Sequence, residues 1–151
     1  MSDKIALIYA SKSGRNEKVA QYLNQQFATL KQPIELAEMA SFPIEHLADF
    51  AGVVLVSYTY YEGQLPDEAV AFFDALETVD LRGKYYALTG SSSIQHRYFG
   101  RALDLFDQKL AHLGAQRATA VLKINLDSDR ADLARLDAFC QQIIDFAQNN
   151  H

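Results

Sequence analysis

Five short apolar runs separated by stretches of helical period constrain this chain more than any other feature. The run VVLVS is the clearest of them, because an unbroken apolar strand has no solvated side and needs cover on both faces. The runs span Lys4 to Tyr9, Ile34 to Glu38, Val53 to Ser57, Tyr85 to Thr89 and Ala118 to Ile124. Val19, Leu23, Phe27 and Leu30 recur at helical spacing, as do Val70, Phe73 and Leu76, then Leu103, Phe106, Leu110 and Leu113, then Leu133, Leu136, Phe139 and Ile143. Strand and helix together take about 30 residues per unit, which is the spacing of βαβ units in a parallel sheet. The expected order is βαβαβαβαβ, a doubly wound α/β fold. With five strands the sheet order 2-1-3-4-5 is favoured, as it needs no sixth strand.

Length and charge narrow the class. The 151 residues suit a single domain over 1–151, able to hide about 70% of its unfolded surface without disulfides or metal. Apolar residues make up 49% and charged residues 22%, so no long disordered tail is expected. No apolar run reaches the ~18 residues of a membrane span, and the start MSDKIALIYA lacks the pattern of a signal peptide, so the expected address is cytoplasmic, with no membrane partner. The single cysteine, Cys140, excludes an internal disulfide and a cysteine-anchored metal site. A net charge of -5 repels nucleic acid and favours partners with basic patches.

A 2-1-3-4-5 sheet binds ligand beyond the carboxyl ends of strands one and three, where the strand order reverses. Three loops meet that edge. The first, YASKSGRNEKVA, sets Ser11, Ser13 and Asn16 around Gly14 at a helix start, with Lys12 and Arg15 able to add positive charge. Free N–H groups and hydroxyls at a helix N-terminus suit an anion, although a plain βα turn with a serine cap uses the same residues. Neither GxxxxGK[ST] nor GxGxxG is present, which leaves a mononucleotide phosphate. Receiver domains need carboxylates at the end of strand one, and cysteine phosphatases need a thiolate in the loop. Here Tyr9, Ala10 and Ser11 end the strand, and Cys140 falls in the last helix.

The second loop carries Tyr58, Tyr60 and Tyr61, flat side chains suited to a flat ligand, and Pro66 is preset for the first turn of the helix that follows. In the third, Ser91, Ser92 and Ser93 permit close backbone approach, with His96 and Tyr98 beyond them. Gly114 marks a helix C-cap, and Asp127 or Ser128 an N-cap.

These loops make the chain resemble the short-chain flavodoxins over nearly its whole length. The family's phosphate loop T/S-x-T-G-x-T is matched by Ser11, Lys12, Ser13, Gly14, Arg15 and Asn16. Its T-W/Y-G-D-G-x-L-P-D segment is matched by Thr59, Tyr60, Glu62, Gly63, Leu65, Pro66 and Asp67, with Tyr61 in place of glycine. Its third motif is matched at Gly90, Ser91, Phe99, Ala102 and Asp104, with Ser92 and Ser93 replacing a Gly-Asp pair and His96 the outer stacking tyrosine. No insertion of the kind that marks the long-chain group divides the fifth strand.

The resemblance implies a flavodoxin-like three-layer sandwich binding FMN. Ser11, Ser13, Asn16 and local N–H groups would hold the phosphate. Tyr60 and His96 would sandwich the ring, and backbone around Tyr61, Glu62 and Ser91 to Ser93 would meet its polar edge. The implied function is a one-electron carrier without a substrate of its own, likened to a monomer that shuttles between a reductase and a terminal acceptor. Two alternatives stand beside it: an FMN-dependent quinone reductase on the same fold, and a binding module without FMN.

Overall fold

The computed structural model describes residues 3–10, 15–58, 65–92, 101–125 and 130–149. Strands β1 (Ile5–Tyr9), β2 (Ile34–Glu38), β3 (Gly52–Val56) and β4 (Tyr85–Ser92) lie in the order β2-β1-β3-β4, all parallel. The register aligns Tyr9 with Glu38 on one side and Val56 on the other, and Val56 with Thr89. The fold expected from the sequence is therefore present.

Period-two alternation divides the strand side chains between two cores. Ala6, Ile8, Val53, Leu55, Tyr86 and Leu88 point to one face, and Ile5, Leu7, Val54, Val56, Tyr85 and Ala87 to the other. Helices α1 (Arg15–Thr29) and α4 (Arg130–Asn149) cover the second face with Val19, Leu23, Phe27, Leu136, Phe139, Cys140 and Ile143. Helices α2 (Asp67–Ala75) and α3 (Arg101–His112) cover the first with Ala69, Phe72, Leu103, Phe106 and Leu110. Burial pushes the Cys140 thiol up to about 12, with the charge of Asp137 adding to the effect, so it is an inert core residue.

The structure corrects the sequence reading in four places. First, the connection from β2 to β3 contains two 3₁₀ turns, Met39–Ser41 and Ile44–Asp49, where the expected order βαβαβαβαβ puts a helix. Pro43 separates the two turns, and Met39, Leu47 and Phe50 anchor them in the core, with Phe42 and Ile44 packed against it.

Second, Val70 of the expected α2 stripe turns outward, while Leu76 is buried as expected and Phe73 packs at the core's edge. Ala69, Phe72 and Leu76 face inward while Val70 is 43% exposed, because the small Ala69 lets the helix approach and Phe72 packs against Phe42 and Phe106. Leu30 and Leu133, at the ends of their stripes, are likewise exposed. Third, Pro66 stands one residue before α2, as its N-cap, and its carbonyl accepts from the Ala69 N–H at 2.8 Å.

Fourth, the fifth strand is two strands, β5 (Gln116–Arg117) and β6 (Leu122–Asn125), both paired with β4. Tyr85 faces Gln116, an offset of 116 − 85 = 31, whereas Thr89 faces Leu122, an offset of 122 − 89 = 33. Two extra residues are thus bulged out between the segments, opposite Ala87 and Leu88. The Ala118 N–H donates to the Tyr86 carbonyl at 2.8 Å, and the buried Thr89 hydroxyl donates to the Leu122 carbonyl at 2.7 Å, so both ends of the bulge are stitched to β4.

Helices α1 and α3 end alike. The Gln32 N–H donates to the Phe27 carbonyl and the Lys31 N–H to that of Ala28, while Ala115 and Gly114 donate to Leu110 and Ala111. Such a cap needs a left-handed residue, Lys31 at φ 62° in one case and Gly114 at φ 96° in the other. A Cβ on Gly114 would also lie 2.8 Å from Arg82 Cγ. Gly114→Ala is expected to lower stability by about 1–2 kcal/mol in a urea titration, while Lys31→Gly should cost nothing, since the glycine conformation is already in use there.

Four phenols favour their neutral form in the folded chain. Tyr85 is pushed up to about 12 by burial, and Tyr22 likewise to about 12, chiefly by the hydrogen bond its hydroxyl donates to Asp137 at 2.6 Å. Burial first, and then a hydrogen bond to Asp107, raises Tyr86, and Tyr9 reaches about 12 for reasons given below. A phenol raised in the native state stabilises the fold fully below its unfolded value of about 10 and loses that contribution as pH climbs through the native value. The denaturant midpoint should therefore fall between pH 10 and 12, and a flat midpoint over that range would contradict the assignment.

Candidate functional site

The strand order reverses between β1 and β3, so the crevice beyond their carboxyl ends is where the sheet leaves room for a ligand. Helix α1 begins at Arg15, five residues after Ala10 closes β1 through its N–H to the Val56 carbonyl at 2.8 Å. The first-turn N–H groups of α1 therefore stand at the carboxyl edge with the positive end of the helix dipole. Asn16 in that turn is 3% exposed, an unusual position for a polar side chain, and Arg15 beside it is exposed. These groups offer N–H donors and a cation, the chemistry a phosphate needs.

The β3 exit is held tightly. The Ser57 N–H donates to the Thr89 carbonyl at 3.1 Å, its hydroxyl to the Tyr58 carbonyl at 3.0 Å, and a Cβ on Gly90 would lie 1.9 Å from the Ser57 carbonyl oxygen. Backbone occupies that space, so only glycine fits at 90. The Tyr58 hydroxyl donates to Glu68 of α2, with Oε1 at 3.0 Å and Oε2 at 3.2 Å. Its phenol is thereby engaged within the protein.

An open cleft of about 140 Å³ at this edge is lined by Tyr9, Ala10, Glu17, Glu38, Ala40 and Glu68. The Tyr9 hydroxyl lies 3.1 Å from Glu17 and 3.2 Å from Glu38, and its single proton serves one carboxylate at a time. Burial, then the hydrogen bond and charge of these two glutamates, push the phenol up to about 12. Tyr9 therefore stays protonated as a donor between two anions.

Of the residues expected to bind cofactor, Arg15, Asn16 and Tyr58 lie at this edge, together with the backbone of Ser91 and Ser92 at the end of β4. Ser11, Lys12, Ser13, Gly14, Thr59, Tyr60, Tyr61, Glu62, Gly63, Ser93, His96 and Tyr98 lie outside the described residues, as do the cap residues Asp127 and Ser128. Two residues of the third motif have internal partners. Ala102 is fully buried, and Asp104 pairs with Lys123 of β6 at 2.9 Å. Sequence reasoning missed Tyr9, Glu17, Glu38 and Glu68, whose grouping depends on the Tyr9–Glu38 register. Among the described residues no cluster of histidine, cysteine, aspartate or glutamate is placed to hold a metal, and no helix is long and apolar enough to cross a membrane.

A doubly wound sheet with a helix start facing its switch point is the architecture of the mononucleotide-binding α/β proteins. The comparisons make the class specific. The flavodoxin family model matches residues 7–136. A flavodoxin of Maridesulfovibrio salexigens is 28% identical over 133 residues, covering 86% of this chain and 91% of that protein. The crystal structure of oxidised flavodoxin 2 from Bacillus cereus superposes with a TM-score of 0.90 at 34% identity, covering 94% of this chain and 98% of that one. The sulfite reductase [NADPH] flavoprotein alpha-component of Pectobacterium atrosepticum is 28% identical over 147 residues, 95% of this chain but 24% of its own length.

The chain belongs to the flavodoxin family, and within it to the short-chain group. Flavodoxins bind FMN and carry electrons between redox partners. The four residues 118–121 that part β5 from β6 are a local bulge, far short of a long-chain insertion.

Gly90→Ala tests the strand-end geometry. The added methyl must displace the Ser57 carbonyl, so the variant should lose stability by about 2 kcal/mol or more and FMN affinity with it. Wild-type stability by chemical denaturation would show that the two strand ends are not held this closely.

Proposed function

We propose that this flavodoxin is a single-domain electron carrier with no substrate turnover of its own, and that it holds FMN across the three loops at the carboxyl edge. The observation that carries this reading is the α1 start, where Arg15, the buried Asn16 and the first-turn N–H groups meet the β1/β3 switch point. Ser11, Ser13, Asn16 and the local N–H groups bind the phosphate, with Lys12 and Arg15 adding charge around Gly14. Tyr60 and His96 take the two ring faces. Thr59, Tyr61, Glu62, Gly63 and Ser91 to Ser93 bring backbone to the ring edge, and Tyr98 closes the third loop. Tyr58 acts through Glu68.

Bound FMN supplies the redox chemistry, and the chain supplies stacking, hydrogen bonds and a fixed charge field. Glu17, Glu38 and Glu68 ring the cleft beside the site, and with the net charge of -5 they favour a reductase and an acceptor that present basic patches. A cytoplasmic monomer is consistent with a single buried thiol.

Binding is read by the visible spectrum and by quenching of flavin fluorescence. Ser13→Ala should weaken FMN about tenfold or more, the contribution of a hydrogen bond to a charged group, and leave riboflavin nearly unchanged. Equal losses for both ligands would place the phosphate elsewhere. Steady NADPH oxidation by the FMN-loaded protein alone would overturn the carrier reading.

A further inference from the structure

We propose that Tyr9 is a positioning residue for FMN: its hydroxyl holds the Glu17 carboxylate on the β2 side of β1, so that Glu17 does not compete with the FMN phosphate for the start of α1. The proposal rests on the phosphate reading given above. Glu17 stands in the first turn of α1, beside Arg15 and Asn16. A glutamate at the third helical position ordinarily turns back to its own helix start, where it accepts from N–H groups in a capping box and is drawn by the positive end of the dipole. A bound phosphate uses the same field and the same kind of donor. The chain therefore carries an anion of its own in the turn assigned to the ligand's.

Tyr9 ties that carboxylate to the sheet. Its hydroxyl lies 3.1 Å from Glu17 Oε1 and 3.2 Å from Glu38 Oε1. Glu38 ends β2 and is paired with Tyr9 on the side of β1 opposite Val56 of β3. The hydroxyl thus draws Glu17 toward β2, whereas the switch-point crevice opens between β1 and β3. Burial, then the bond to Glu17, keep the phenol protonated, so the donor is always present. Without that proton Glu38 and the half-buried Glu17 would repel each other, and the repulsion would add to the pull of the dipole on Glu17.

The test is the affinity of the apoprotein for FMN and for riboflavin, read by flavin fluorescence at low and high salt. Tyr9→Phe keeps the ring and removes only the hydroxyl. It should weaken FMN about fivefold at low salt, the effect of one carboxylate at a helix start, and leave riboflavin within about twofold. Screening at about 1 M salt should erase most of that loss. In a Glu17→Gln background the same substitution should change FMN by less than about twofold, while in a Glu38→Gln background most of the loss should remain, because the dipole still draws Glu17. Glu17→Asp, one methylene shorter but still charged in the first turn, should reproduce the FMN-selective loss without touching β1, which keeps the proposal testable if Tyr9→Phe fails to fold. Equal losses for both flavins, a loss indifferent to salt, or one that survives Glu17→Gln would overturn the proposal. A wild type that binds riboflavin as tightly as FMN would overturn the phosphate reading itself, whereas a wild type that prefers FMN, with the same preference in Tyr9→Phe, sinks the role of Tyr9 alone.

Discussion

The complete burial of β3 is the constraint on which the rest of the structure depends. All five residues of Gly52–Val56 are buried, so the strand leaves no side for water and must have a helical layer above and below. Val53 and Leu55 supply one core, Val54 and Val56 the other. Once both faces are covered, the loops leave at the strand ends, and parallel pairing sends the exits of β1, β3 and β4 to the same edge. Three strand ends from distant parts of the chain meet at one edge because the central strand is apolar on both sides.

Backbone contacts set the fine geometry of that edge. The Ser57 carbonyl fills the place where a side chain at 90 would sit, which locks the ends of β3 and β4 together. Thr89 spends its hydroxyl on the Leu122 carbonyl, carrying the pairing past the bulge to β6. Around this rigid frame the cleft carries Glu17, Glu38 and Glu68, with the Tyr9 proton between two of them. The α1 start, with Arg15 and its first-turn N–H groups, and the acidic cleft beside it set opposite charge side by side along this edge.

Most of the architecture was legible in the sequence because it rests on periodicity. The strand runs, the sheet order and the Gly114 cap all follow from local patterns. What was not legible depends on contacts between distant segments. The α2 face turns on whether Phe72 or Phe73 finds the deeper pocket: Phe106 meets both rings, and Phe42, from the β2–β3 connection, packs on Phe72. The split of the fifth strand shows only when both offsets to β4 are compared, since Ala118 to Ile124 reads as one run. In the site, the motifs pointed to the carboxyl edge of the sheet, and of their residues Arg15, Asn16 and Tyr58 are described at that edge. Tyr58 was legible as a loop residue, but its partner was not, because a phenol ten residues from a carboxylate meets it only when strand and helix are docked.

The central claim is that FMN lies beyond the carboxyl ends of β1 and β3, against the start of α1. A titration of the ¹⁵N-labelled apoprotein with FMN, followed by amide chemical shifts, tests it directly. The largest changes should fall on Ala10, Arg15, Asn16, Tyr58 and Gly90, while Lys31, Gly83, Lys84 and Gly114, at the opposite ends of their elements, should hold their positions. Large shifts centred on Lys84 and Gly114, with Arg15 and Gly90 unmoved, would contradict the placement.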